Sequence, residues 1–363
     1  MKRAWPWVAV GLAAVGMAAC WDFETAYKDC INTGRCKSDG GGDDGGGDGG
    51  GACPAGSPTG NGLCLAERFG TSYPVHGIAG FSPSNVLVGG RDEAFYAVRS
   101  DSIVEYNASL GNYALLGDLD GLAPDDVWAS TSLSFAGASL YHYNGSAWSN
   151  PSVGAADLGD CNGVWVEDAG YAFAACEEGL QQIALPNQVS TLLDNTANGE
   201  LFNGVWGVWN GPAWVVGYDI FQSMTVIRQR SGATWNLQLF PGNQLRAIHG
   251  RSDHDVWAVG DTSTLMHLDD AGWHTVPSTV TADFKDVYVL PSGQAWVATY
   301  DTRLMVIDTD GGQRTFTPPG LQSATEDILI QRVRPFPSGD VWVTATSYDG
   351  GYYGGAIFHY QTP

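Results

Sequence analysis

The residues of this sequence that could do chemistry fall into two registers. His76, Gly117, Asn162, Asn203, Arg246, Lys285 and Gln331 each stand eleven positions ahead of one member of a series of large apolar residues. Ala79, Asp120, Trp165, Trp206, His249, Tyr288 and Arg334 each stand eight ahead of the same series. Arg246 and Lys285, with Arg332 and Arg334 nearby, could hold a carboxylate or a sugar acid, because such groups donate charge-assisted bonds to an oxyanion. Trp165, Trp206 and Tyr288 could stack on the face of a sugar. A glycosidase needs paired carboxylates around one mouth, and here the two registers and their neighbours supply only Asp118, Asp120 and Asp286, which disfavours hydrolysis.

Other catalytic and metal signatures are missing: no His-Glu-x-x-His, Walker loop, Gly-x-Ser-x-Gly elbow or Cys/His metal spacing occurs, and neither a cofactor nor a metal is expected. His142, His267 and His359 share one repeat position on separate units, so they cannot meet at one ion. His254, between Asp253 and Asp255, reads as a turn cap. Ser347 to Tyr353 partly resembles the Asp box of sialidase-like proteins, but Gly354 takes its aromatic position, and a Gly-rich loop is the preferred reading.

The elements that must position these residues are short strands. The series of apolar residues is Leu87, Trp128, Phe173, Trp214, Trp257, Trp296 and Trp342, spaced by 41, 45, 41, 43, 39 and 46 residues. The best copy, residues 245–273, alternates apolar and polar residues in runs separated by Gly/Asp/Ser turns, the pattern of an antiparallel meander. About 42 residues with four short strands is the repeat of a β-propeller blade. The expected fold is all-β: a seven-bladed β-propeller of four-stranded antiparallel blades. The seventh unit has three strands before the chain ends, and residues 65–73 have no unit of their own, so an N-terminal strand is expected to close the last blade.

The chain has 363 residues and a formal charge of −22, from 39 acidic against 17 basic residues, so a nucleic-acid partner is not expected. Residues 1–19 pair a basic start with a short apolar run and small residues, an export signal. Residues 20–64 contain a Gly/Asp-rich run, Lys37 to Ala52, that cannot form a core and reads as a tether, and 65–363 as the propeller. In the hairpin from Cys161 to Cys176, pairing Val166 with Tyr171 sets the two cysteines opposite each other and predicts a disulfide. The pairing of Cys30, Cys36, Cys53 and Cys64 stays open.

Met17-Ala18-Ala19-Cys20 resembles the lipobox of bacterial lipoproteins, which implies lipidation at Cys20; Trp21 after it favours the outer membrane over inner-membrane retention. Repeats of the form apolar-Gly-x-x-x-x-Asp-Val-Trp-Ala-Val-Gly, then Leu-x-His and Gly-x-Trp, resemble those of bacterial exported β-propeller lipoproteins. The resemblance implies an exported protein held to the envelope by its lipid alone. The expected function is a non-catalytic binding or scaffolding module for a protein or glycan partner there; the alternative is a propeller-type polysaccharide lyase or glycosidase acting at a channel mouth. Fold does not specify activity.

Overall fold

The computed structural model describes residues 63–69, 75–90, 94–99, 102–107, 115–132, 140–149, 160–168, 170–177, 179–184, 189–195, 199–232, 234–317, 327–349 and 352–361. The expected leader, Cys20 and the Gly/Asp run lie outside them. All regular elements among the described residues are β-strands, paired into four-stranded antiparallel sheets. Residues 75–107, 115–149, 161–195, 200–241, 245–275 and 284–316 form blades one to six, each a meander of four consecutive strands. The C-terminal sheet takes three strands from residues 327–361 and its outer strand, Leu63–Phe69, from the N-terminal side. That strand begins two residues before the expected start at 65. The molecule is a β-propeller.

Why these sequences fold this way follows from burial. The seven anchor residues, Leu87 to Trp342, are each 8% exposed or less. Nine positions before them Ile78, Leu119, Val164, Val205, Ile248, Val287 and Val333 are buried too. Burying each such side chain contributes about 1.5–3 kcal/mol. The core is not one mass but a set of wedges, each between neighbouring sheets. One joins Trp128 and Leu140 of blade two to Val164 and Ile183 of blade three. Another joins Val75 and Ile78 of blade one to Trp342 and Ile357 of the C-terminal sheet.

The three repeated histidines serve this framework. His142, His267 and His359 lie directly across the ladder from Trp128, Trp257 and Trp342, and the rings stack at 4.5, 4.0 and 4.3 Å between centroids. Each histidine Nε2 is 2.7–2.8 Å from the aspartate two residues before its tryptophan: Asp126, Asp255 or Asp340. The Asp-Val-Trp motif and the distant His are therefore one structural unit. His254, by contrast, lies 3.3 Å from Asp270 and 3.6 Å from Asp253 on the surface. Of the Asp-box-like segment, Asp349 pairs with Tyr352 across a hairpin.

Cys161 and Cys176 form the expected disulfide, but the register behind the expectation is off by one. Val166 faces Ala172, not Tyr171, and a bulge between Cys161 and Gly163 restores the cysteines to opposite positions. The same bulge recurs in every inner strand, between Val75/Gly77, Leu116/Asp118, Phe202/Gly204, Leu245/Ala247, Phe284/Asp286 and Ile330/Arg332.

Candidate binding site at the channel mouths

The bulged residues are His76, Gly117, Asn162, Asn203, Arg246, Lys285 and Gln331, the whole of the first register. A bulged residue is left out of the ladder and its side chain is re-aimed. This is the physical reason why these positions keep register while varying in chemistry. Three of them reach sideways. Asn162 Nδ2 donates to Asn203 Oδ1 at 3.4 Å, Asn203 Nδ2 to the Leu245 carbonyl at 2.8 Å, and Gln331 Nε2 to Thr346 Oγ1 at 3.0 Å. Burial, with the charges of Arg332 and Lys285, lowers the His76 pKa to about 4, against a hydrogen bond with Gln331.

Arg246 and Lys285 adjoin on blades five and six. Arg246 makes a bidentate pair with Asp261, at 2.8 and 2.6 Å, so its charge is already matched. Lys285 differs. Its Nζ lies 4.1 Å from the centre of the Tyr300 ring, and it makes no ion pair among the described residues. Burial lowers its pKa first and the Arg246 charge next, with Asp261 and Asp283 opposing. The turn beside it is strained: Thr262 and Ser263 both have positive φ, 55° and 61°, a conformation that costs a β-branched residue energy. The Asp283 carboxylate holds it by accepting the Thr262 N–H at 2.7 Å. Asp261, Asp283 and Tyr300 were missed by sequence reading: Asp261 and Tyr300 lie fifteen residues beyond Arg246 and Lys285, and Asp283, two before Lys285, stands ahead of its strand and outside both registers.

The second register stays in the ladder, each residue directly opposite its anchor: Ala79 faces Leu87, Asp120 Trp128, Trp165 Phe173, Trp206 Trp214, His249 Trp257, Tyr288 Trp296 and Arg334 Trp342. Its side chains staple one blade to the next. The Asp120 carboxylate accepts the Val166 N–H at 2.8 Å, His249 Nδ1 accepts that of Val289 at 3.1 Å, and Arg334 Nη2 donates to the Ile78 carbonyl at 2.9 Å. The aromatic faces are covered by protein. Trp206 lies between Trp214 and His249, Tyr288 between His249 and Arg334, and Trp165 against Phe173. Burial and Arg334 hold His249 well below the usual imidazole range.

Between the rings lies the hub. Arg332 Nη2 donates to the Gly117 carbonyl of blade two at 2.7 Å and Nη1 to the Lys285 carbonyl of blade six at 3.2 Å, with Nε 3.8 Å from Asp118. Blade one contributes only Gly77 at this level. Asp118 and Asp286 accept backbone N–H groups of the next sheets, from Val164 at 3.4 Å and Val333 at 2.9 Å. Burial raises the Asp118 pKa to about 6 although Arg332 opposes it, and raises that of Asp286 as well. Of the four expected cations, Arg246 and Lys285 sit at the bulges of neighbouring blades, Arg332 bridges blades two and six, and Arg334 belongs to the second register.

No protein-family model and no curated protein matches the chain. Solved structures do. YCF48 bound to a D1 peptide is 12% identical with a TM-score of 0.61, over 84% of this chain and 96% of that one. Two structures of the extracellular domain of BT4673 from B. thetaiotaomicron, described as a one-component and as a hybrid two-component system, give TM-scores of 0.57 and 0.60 at 12% and 13% identity. In both cases the match covers 82% of this chain but 39% of BT4673. At these identities the likeness is one of fold, and it establishes the β-propeller.

Proposed function

We propose that this chain is a cell-envelope lipoprotein whose propeller is a non-catalytic binding module, taking an anionic group of a protein or glycan partner at the mouth that holds Lys285. The observation that carries this reading is the recurrent bulge. It frees unlike side chains at one level of every sheet, and among them Lys285 keeps an ammonium without a carboxylate partner among the described residues, beside a strained turn. The strand that closes the C-terminal sheet supports a ring of seven blades, as do the Arg334 bond to Ile78 and the Trp342 Nε1 bond to the Pro83 carbonyl at 2.9 Å. Binding is favoured over lyase or glycosidase chemistry because Asp118, Asp120 and Asp286 are each engaged as clamps on a neighbouring backbone N–H. A propeller of the same fold, YCF48, has been solved with a peptide, which supports a peptide as one form of the partner.

The rest of the proposal concerns the N-terminal segment. Residues 1–19 are removed, Cys20 is lipidated and the residues from 20 to 62 tether the propeller, which starts at Leu63, to the outer membrane. Labelled fatty acid incorporated by the parent and not by Cys20→Ala checks the anchor. For the site, the chain is screened against acidic peptides and uronic-acid oligosaccharides. The expected result is a ligand whose affinity falls at least tenfold in Lys285→Ala with melting unchanged; ligands held equally well by parent and variant would overturn the site.

A further inference from the structure

Blade five carries a second arrangement, on the outer hairpin formed by Leu265–Asp269 and Gly272–Thr275. His267 lies directly opposite His274, and Asp269 follows His267 by two residues, so all three side chains share one face. One ligand atom of each lies within 4.8 Å of one of each of the others. The two imidazole centroids are 5.7 Å apart and nearly perpendicular. Tetrahedral ligands bound at about 2.0–2.2 Å from an ion stand roughly 3.3–3.5 Å apart, so a movement of about an ångström at the exposed His274 closes the set.

Each of the three is already oriented through its other polar atom. His267 Nε2 is held by Asp255 Oδ1 at 2.8 Å, His274 Nδ1 donates to the Gly272 carbonyl at 3.1 Å, and Asp269 Oδ1 accepts the Ala271 N–H at 2.8 Å. His267 Nδ1 and Asp269 Oδ2 keep lone pairs for a ligand, and His274, whose Nδ1 also stands 3.8 Å from Asp269 Oδ1, presents Nε2 to it by a rotation of its exposed ring. A carboxylate or carbonyl behind each imidazole is the usual outer partner of a metal-bound histidine, because it fixes the tautomer and raises the basicity of the free nitrogen. Asp255 is fixed in its turn by Arg251, and the His267 ring is wedged against Trp257.

The other two sheets with the same Asp/Trp/His unit lack the second imidazole: Ser149 stands opposite His142, and Cys64 opposite His359. The framework explains His267 but not His274 or Asp269. We propose that His267, Asp269 and His274 form a binding site for a divalent transition metal of the zinc class, with Asp255 as the positioning residue of His267. Two imidazoles and one carboxylate select such an ion over calcium or magnesium, which take oxygen ligands. With three protein ligands on an exposed hairpin, the ion keeps a position open to solvent or to a donor from a partner.

The test is calorimetric titration of the full chain, stripped with EDTA, with zinc chloride at pH 7.5. One zinc per chain at this site is expected, weakened at least tenfold in His274→Ala, an exposed position whose loss leaves the fold intact. Asp255→Asn should weaken it 10–100-fold, while His254→Ala on the neighbouring turn leaves it unchanged, and magnesium at the same concentration should give no heat. Failure of the parent to bind, zinc binding that survives His274→Ala, or binding that is lost in His254→Ala instead would each overturn the assignment.

Discussion

Along one inner strand, Asn203 and Trp206 stand three residues apart, and the two positions behave differently all the way round the molecule. The first is bulged out of the ladder, and its counterparts are His, Gly, Asn, Arg, Lys and Gln. The second is locked opposite a buried anchor, and its counterparts lean on the next blade whatever their chemistry: carboxylate on amide, imidazole on amide, guanidinium on carbonyl. The difference teaches that variation between repeats has two sources. In the ladder ring it reflects alternative ways to make the same inter-blade contact. In the bulge ring it reflects side chains with less to hold, and Lys285 is the extreme case.

The comparison can be broken first at Arg334. Arg334→Ala removes the bond to Ile78 and the cover over Tyr288, and takes away the positive charge that faces Asp120 and, after Arg332, Asp286. Chemical denaturation should register a loss of about 3–5 kcal/mol; a loss below about 1 kcal/mol would mean that the ladder ring does not hold the blades together. Replacing Cys161 and Cys176 together by serine opens a 15-residue separation and should cost about 2–4 kcal/mol, read as a lower denaturation midpoint than that of the oxidised parent. Gly250→Ala is next. Its Cβ would stand 2.7 Å from both the Asp255 carbonyl and the Trp206 ring, an overlap worth about 1–3 kcal/mol, and Trp206→Leu should relieve part of it.

The pH dependence sharpens the picture of the hub. With its pKa raised to about 6, Asp118 keeps its proton in the folded state after the unfolded chain has released it, so its contribution to stability falls as pH rises from about 4 to 6. His76, lowered to about 4, has the opposite sign: its contribution is present above the ordinary imidazole range and is lost as pH falls through 4. The two offset each other between pH 4 and 6. Relative to the parent, Asp118→Asn should shift the pH slope of stability upward in that window by up to about 1.4 kcal/mol per unit, and His76→Gln should shift it downward. The smallest effect belongs to Lys285→Ala, whose stability should stay within about 0.5 kcal/mol of the parent.

Much of this was legible in the sequence because the anchors must be large and apolar at a fixed spacing, and a buried Trp cannot drift along a strand. The two registers were legible for the same reason. What the residues on them touch was not. A bulge inserts one residue without any composition signal of its own, so the hairpin from Cys161 came out one position off even though its disulfide was right. The faint trace it leaves is the small residue after the bulge, as at Gly77, Gly163, Gly204 and Ala247. Arg246 read as an available cation because nothing in the local sequence says that Asp261 turns back onto it. Trp165 and Trp206 read as open platforms, whereas Trp206 covers Gly250 and Trp165 covers Gly207, the next blades' glycines at one matched position.

Arg332 has a consequence for how the sheets depend on one another. Its guanidinium joins the Gly117 carbonyl of blade two to the Lys285 carbonyl of blade six, so two sheets far apart in sequence share one fork of donors.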